Sequence, residues 1–370
     1  MTAGRARIAP AGLIAIALVA AVAGGRGEAA GRVAAVDGLS IGVMPQRPIE
    51  RHETDEIADA GVDSVRIWFP WAAVESKRDD LDWESLDDAV AINADAGLTT
   101  LPFLFGSPAW AAERDGRECD GPDCISFPPG SSETRYEFAQ FAGAAVRRYG
   151  PDGTYWDQHP GLPYRPIRVW QIWNEPNLSS FFEPRVDVSA YAAILGVAAA
   201  EIRRRDPGAE ILLGGLSGSS STSRRISTGA FLEALYAIPE VSETFDGIAI
   251  HPYDRQTRGV IGQVRTARGV AERASDDAEI WVTELGWASA GKKRWALVKS
   301  PKGQARLLRR TFGWLIDRGD RWGVRAAYWY SWRDTDRGKA VCGWCPASGL
   351  IDRDGDEKLS YEALRKLAGD

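Results

Sequence analysis

This sequence predicts an α/β protein, a single-domain (β/α)8 TIM barrel. Three observations carry the prediction. Eight short apolar runs alternate with helix-like segments along the 370 residues, without an obvious linker. The competing open, doubly wound sheet lacks its glycine-rich loop, because Gly214-Gly215 runs into Leu216-Ser217-Gly218. Two of the runs, Trp170-Gln171-Ile172-Trp173-Asn174-Glu175 and Glu279-Ile280-Trp281-Val282-Thr283-Glu284, end in a glutamate where the strand should stop. In a barrel all strands finish at one face, so both carboxylates can point into one cavity.

The runs follow in order. Leu39 to Met44 is the first and Asp63 to Phe69 the second, after a short helical stretch ending at Ala60-Gly61. Leu98 to Phe105 is the third, preceded by an amphipathic segment from Ser85 to Ala96 that stops at Gly97. Ile167 to Asn174, Ile211 to Gly215, Phe245 to Ile250, Ile280 to Thr283 and Val324 to Tyr330 complete the eight. Between them, Phe138, Phe141, Ala142, Ala145 and Tyr149 recur at helical spacing, as do Ile194, Val197 and Ala198, and Ala305, Leu308, Phe312 and Leu315. Ser360 to Leu367 reads as a closing helix. The loop from Gly106 to about Pro129 is long and carries Trp110.

The formal net charge is -6, mixed along the chain. A nucleic-acid binder would normally show a basic stripe, so no nucleic-acid partner is expected. Arg203-Arg204-Arg205 and Arg224-Arg225 read as solvated faces. At the N-terminus, Arg5 and Arg7 precede an apolar stretch from Ile8 to about Ala23, and Ala21-Val22-Ala23 is a plausible cleavage site. Residues 1–23 therefore read as a signal peptide, with an uncleaved anchor as the alternative. Residues 24–370 are the barrel, with an ordered core from about 38. Export to the outside or to the cell envelope fits the four cysteines, which form two close pairs in loop-like sequence. Disulfides Cys119–Cys124 and Cys342–Cys345 are expected, and a single zinc site ligated by all four cysteines is the alternative.

Two carboxylates at matching strand ends suit a retaining glycosidase. One is kept protonated as the acid, and the other stays ionised to attack the anomeric carbon. The 15 Trp fit sugar stacking. The three histidines, His52, His159 and His251, make a histidine-built catalytic zinc site a poor reading, and no catalytic metal or organic cofactor is expected. A serine hydrolase elbow is also missing, since Gly215-Leu216-Ser217-Gly218-Ser219 has the wrong spacing.

Asn174-Glu175-Pro176 resembles the acid/base motif of glycoside hydrolase clan A. Thr283-Glu284-Leu285-Gly286-Trp287 resembles that clan's nucleophile segment, and the resemblance runs from the first strand to Leu367. It implies that Glu175 is the general acid/base and Glu284 the nucleophile. Asn174 would hold the sugar 2-hydroxyl, and Arg66 would hold Glu284 ionised. His251-Pro252-Tyr253 is similar to the pair beside the nucleophile, with Tyr253 steering Glu284. Trp329 matches the tryptophan under the reacting sugar, and Trp110 is a second stacking candidate. The Asn-Glu-Pro-Asn and His-Pro-Tyr runs and the ending Gly349-Leu350-Ile351-Asp352 look most like glycoside hydrolase family 39 and related bacterial polysaccharide-degrading enzymes, with family five close by.

The function expected is retaining, double-displacement hydrolysis of β-glycosides, with endo action on a polysaccharide. An exo-acting β-glycosidase of the β-xylosidase kind and a non-catalytic carbohydrate-binding barrel are the alternatives. A monomer with an oligo- or polysaccharide substrate and no protein partner is expected. Arg47, Arg114 and Arg333 are candidates for meeting acidic sugars.

Overall fold

The computed structural model describes residues 38–336, 338 and 342–369. The signal-peptide segment 1–23 lies outside the described residues. The strands are β1 (Ser40–Met44), β2 (Ser64–Pro70), β3 (Thr99–Phe105), β4 (Val169–Ile172), β5 (Glu210–Leu212), β6 (Leu216–Ser217), β7 (Gly247–His251), β8 (Glu279–Leu285) and β9 (Val324–Tyr330). All pair in parallel, in the order β5-β4-β3-β2-β1-β9-β8-β7-β6. Leu212 of β5 and Leu216 of β6 both pair with β7, so these two short pieces are one stave. The sheet thus closes into the expected eight-stave barrel. Among the described residues no helix is long and apolar enough to cross a membrane.

Side chains alternate along each strand between the barrel interior and the helix layer. Inward-facing Leu101, Leu212, Ala249, Trp281, Ala326 and Tyr328 form a small apolar plug inside the barrel. Outward-facing residues join a much larger core beneath the helices. The helix Ser132–Tyr149 buries Phe138, Phe141, Ala142, Ala145 and Tyr149, as its spacing requires. The helix Pro301–Arg318 buries Ala305, Leu308, Phe312 and Leu315. The Ser85–Ala96 expectation holds as a helix Glu84–Asp95, and Gly97 ends it at φ 77, a left-handed conformation that favours glycine. One face was misjudged. The helix Val188–Arg205 buries Ile194, Leu195, Ala198 and Ile202, whereas Val197 is exposed. The apolar stripe here runs through Leu195, and one surface valine carries little cost.

Candidate active site

Neither glutamate reaches the cavity by regular strand geometry. On β8, Trp281 and Thr283 follow the alternation, which would turn Glu284 outward. The register against β9 slips at this point: Val282 pairs with Ala327, but Leu285 pairs with Trp329. Three steps on β8 match two on β9. This bulge is the kind of irregularity that re-aims a side chain, and it frees Glu284 to face inward. Glu175 lies past the end of β4. Trp173 and Glu175 both adopt left-handed backbone, at φ 73 and φ 42. Non-glycine residues pay strain there, so the turn must be held from outside. Trp173 supplies the hold. Its N–H donates to Leu104 O at 2.8 Å, and its indole N–H to Phe181 O at 2.7 Å. Its ring packs edge-on to Phe105 at 4.9 Å.

The two carboxylates meet at His251. One oxygen of Glu175, one of Glu284 and a ring nitrogen of His251 all lie within 4.8 Å of one another. His251 Nδ1 is 2.8 Å from Glu175 Oε1 and 3.6 Å from Glu284 Oε2. Gly215 leaves the room for this histidine, because a Cβ there would fall 2.0 Å from Nε2. Burial pushes His251 down from its ordinary value to about 3, so the imidazole is neutral. Burial also pushes the Glu175 carboxyl up to about 7, against a weaker opposing hydrogen bond from Ser217.

Glu284 has a different environment. Arg66 Nη1 donates to Oε1 at 2.6 Å, and Tyr253 OH donates to Oε2 at 2.8 Å. Burial, then Glu284 itself, raises Tyr253 well above its usual range, so it keeps its proton and remains a donor. Arg66 is fully buried and donates to three acceptors. Its Nε donates to Gln171 Oε1 at 2.7 Å and its Nη2 to Asn174 Oδ1 at 2.9 Å, while Phe103 stacks 4.0 Å beneath the guanidinium. Asn174 therefore keeps its NH2 group for a ligand. The expected set of Glu175, Glu284, Asn174, Arg66, His251 and Tyr253 is brought together. Glu175, His251 and Glu284 also have donor atoms spaced as metal ligands would be. Arg66 already supplies the cation on Glu284, which disfavours a second one there.

Two expected stacking residues are elsewhere. Trp329 is fully buried and faces outward, because Tyr328 before it faces inward. Its ring lies 6.1 Å from Trp287 and 6.3 Å from Phe312, and its N–H donates to Ser348 O at 3.1 Å. Trp329 is thus core between barrel and helix, not the floor of a sugar site. Trp110 donates to Glu75 O at 2.8 Å and packs edge-on to Trp71 at 5.4 Å. It fastens the loop after β3 to the segment after β2.

Aromatic residues beside the carboxylates were missed. Tyr330 follows the alternation inward. Its buried hydroxyl has no partner among the described residues, and it senses both Glu284 and Glu175. Trp344 packs 5.2 Å from Tyr253 and 5.7 Å from Tyr330. It sits inside the Cys342–Cys345 disulfide, and Cys119–Cys124 is also bonded, both as expected. Trp68 shares the inward face of β2 with Arg66 and is 39% exposed, its indole N–H donating to Phe105 O at 2.9 Å. Counting alternation from Tyr328 would have found Tyr330; nothing local marks Trp344.

No family model matches this chain, and no curated protein matches it. Solved structures do. A monomeric β-xylosidase from Caulobacter crescentus CB15 has a TM-score of 0.64 at 19% identity, covering 89% of this chain and 67% of that one. A GH39 enzyme from Xanthomonas axonopodis pv. citri has a TM-score of 0.65 at 18% identity, covering 92% of this chain and 68% of that one. Xylanase 10B from Thermotoga maritima has a TM-score of 0.61 at 16% identity, covering 90% and 95%. At these identities the likeness is one of fold.

Proposed function

We propose that this protein is a retaining β-glycosidase that removes sugars from a chain end. One observation carries the reading: two carboxylates with oxygens within 4.8 Å stand in opposite environments. Buried Glu175 keeps its proton to about pH 7, whereas Glu284 accepts from Arg66 and Tyr253. Retaining enzymes hold the pair about 5–5.5 Å apart, which fits.

In the first step a Glu284 oxygen attacks the anomeric carbon and the bond to the leaving oxygen breaks. Glu175 gives that oxygen its proton. In the second step Glu175, now ionised, takes a proton from water as the water attacks the same carbon and frees Glu284. Asn174, through its NH2 group, and Tyr330, through its hydroxyl, hydrogen-bond the sugar in the cavity. The clan A resemblance in the sequence is in keeping with these roles.

Exo action replaces the endo expectation. Glu175 is only 8% exposed, and the Glu284 side chain 12%. So enclosed a pair suits a pocket for a chain end better than an open groove. The fold neighbours described as β-xylosidases point the same way. Export remains part of the proposal, supported by two disulfides and the basic, apolar and small residues of the N-terminal sequence.

The test is a panel of aryl β-glycosides and β-linked oligosaccharides, with product lengths read by mass spectrometry. Single sugars released from one end support the reading. Mid-chain products restore endo action, and no turnover of any member removes the glycosidase.

A further inference from the structure

Arg225 is not on the solvated face that its sequence neighbourhood suggests. The segment around it pairs with the turn that carries Glu175. Arg225 bridges Leu178 in antiparallel fashion, Ile226 N–H donates to Asn177 O at 3.0 Å, and Asn177 Nδ2 donates back to Ile226 O at 2.7 Å. The half-buried side chain lies over Gly218, where an added Cβ would fall 2.9 Å from the guanidinium carbon. The preceding residue, Ser217, pairs with His251, the histidine that is hydrogen-bonded to Glu175.

The guanidinium is oriented but not neutralised. Nε donates to Ser220 O at 2.9 Å and Nη2 to Ser220 Oγ at 3.3 Å, both uncharged acceptors. Four other arginines have carboxylate partners. Arg66 has Glu284, Arg47 and Arg333 share Glu53, and Arg114 has Glu133. Arg47, Arg114 and Arg333 therefore already have a counter-charge. Arg225 has no ion-pair partner among the described residues, yet it acts electrostatically on Glu175. It belongs to the β4–β6 side of the barrel mouth, whereas Tyr253, Tyr330 and Trp344 surround Glu284 on the β7–β9 side.

We propose that Arg225 binds an anionic group on the sugar that leaves from the Glu175 side. The substrate class is then a β-glycoside whose leaving sugar carries a carboxylate or a sulfate ester. A half-buried guanidinium with free N–H donors suits the paired oxygens of either anion. The proposal rests on the glycosidase reading and names the substrate class of that same site.

The experiment compares disaccharides that share the nonreducing sugar found best in the aryl panel. Their reducing-end sugar is glucuronate, glucose 6-sulfate or glucose. Glucuronate or glucose 6-sulfate over glucose should raise kcat/KM about tenfold or more, the usual effect of a charge-assisted hydrogen bond. The sulfate arm tells which anion fits. Arg225→Gln should collapse the acid-to-neutral ratio toward one, and Arg225→Lys should restore part of it. A ratio near one in the unmodified protein overturns the proposal. So does an Arg225→Gln variant that slows both substrates equally, or that only moves the pH profile. Calorimetry with free glucuronate, glucose 6-sulfate and glucose on Glu284→Gln gives a readout without turnover. Equal binding there overturns the proposal as well. Cleavage of neutral disaccharides without acid preference sinks this inference alone, whereas no cleavage of any glycoside sinks the glycosidase reading.

Discussion

Glu175→Gln should make the protein more stable at neutral and alkaline pH. Burial raises the carboxyl from 4.5 to about 7 in the folded chain. Between those values the folded state keeps a proton that the unfolded chain has lost. Raising the pH through this window therefore favours unfolding, and the penalty is complete above about pH 7. The gap from 4.5 to about 7, at about 1.4 kcal/mol per pH unit, gives about 3 kcal/mol. For a barrel of this length that is about 5 °C in Tm. Glutamine has the same shape, can still meet His251 Nδ1 at the 2.8 Å position, and does not ionise. The assay is thermal unfolding of both proteins from pH 4.5 to 8.5. Their Tm difference should grow through the window and level off above it. A difference that stays constant across the range would refute the claim that burial holds this proton.

Other outcomes follow from the same geometry. The kcat/KM of the unmodified protein should fall about tenfold per pH unit above about pH 7, as Glu175 loses its proton; an alkaline limb below pH 6 would contradict this. Glu284→Gln should abolish turnover by about four orders of magnitude or more, while Tyr253→Phe should lower kcat about 10–100-fold through one lost charge-assisted hydrogen bond. Steady-state kinetics on an aryl glycoside separates the two. Trp329→Ala should cost about 3–5 kcal/mol of stability with KM unchanged, whereas Trp344→Ala should raise KM with little change in Tm. The reverse pattern would return Trp329 to the sugar site. Peptide mass mapping without reductant should recover Cys119 with Cys124 and Cys342 with Cys345.

The eight staves and most helix faces were legible because burial imposes a period on sequence. Outward-facing strand residues and the stripe through Phe138, Phe141 and Tyr149 must be apolar to meet each other. The chemistry was legible for a related reason. A carboxylate or a guanidinium within an apolar run, as at Glu284 and Arg66, is costly unless it has a partner, so it marks a site. Trp329 shows where this logic stops. Tryptophan suits a sugar platform and a core equally, and only its position relative to Tyr328 tells which one applies. Val197 fails in the same way, since an isolated apolar residue carries no orientation of its own.

The sequence by itself thus determined a closed barrel, the pairing of nearby cysteines, and the glutamates and arginine that share its mouth. Tertiary structure alone decided how those groups face. The bulge that frees Glu284 depends on the register of β8 against β9, set by residues 279–285 and 324–330 together. The left-handed backbone at Trp173 and Glu175 exists because Leu104, Phe105 and Phe181 hold it. Arg225 is brought to the turn that carries Glu175 through its pairing with Leu178. Each is a contact between segments distant in sequence or held by the fold around them. Hydrophobic period fixes which face of an element is buried, but it carries no information about register between elements.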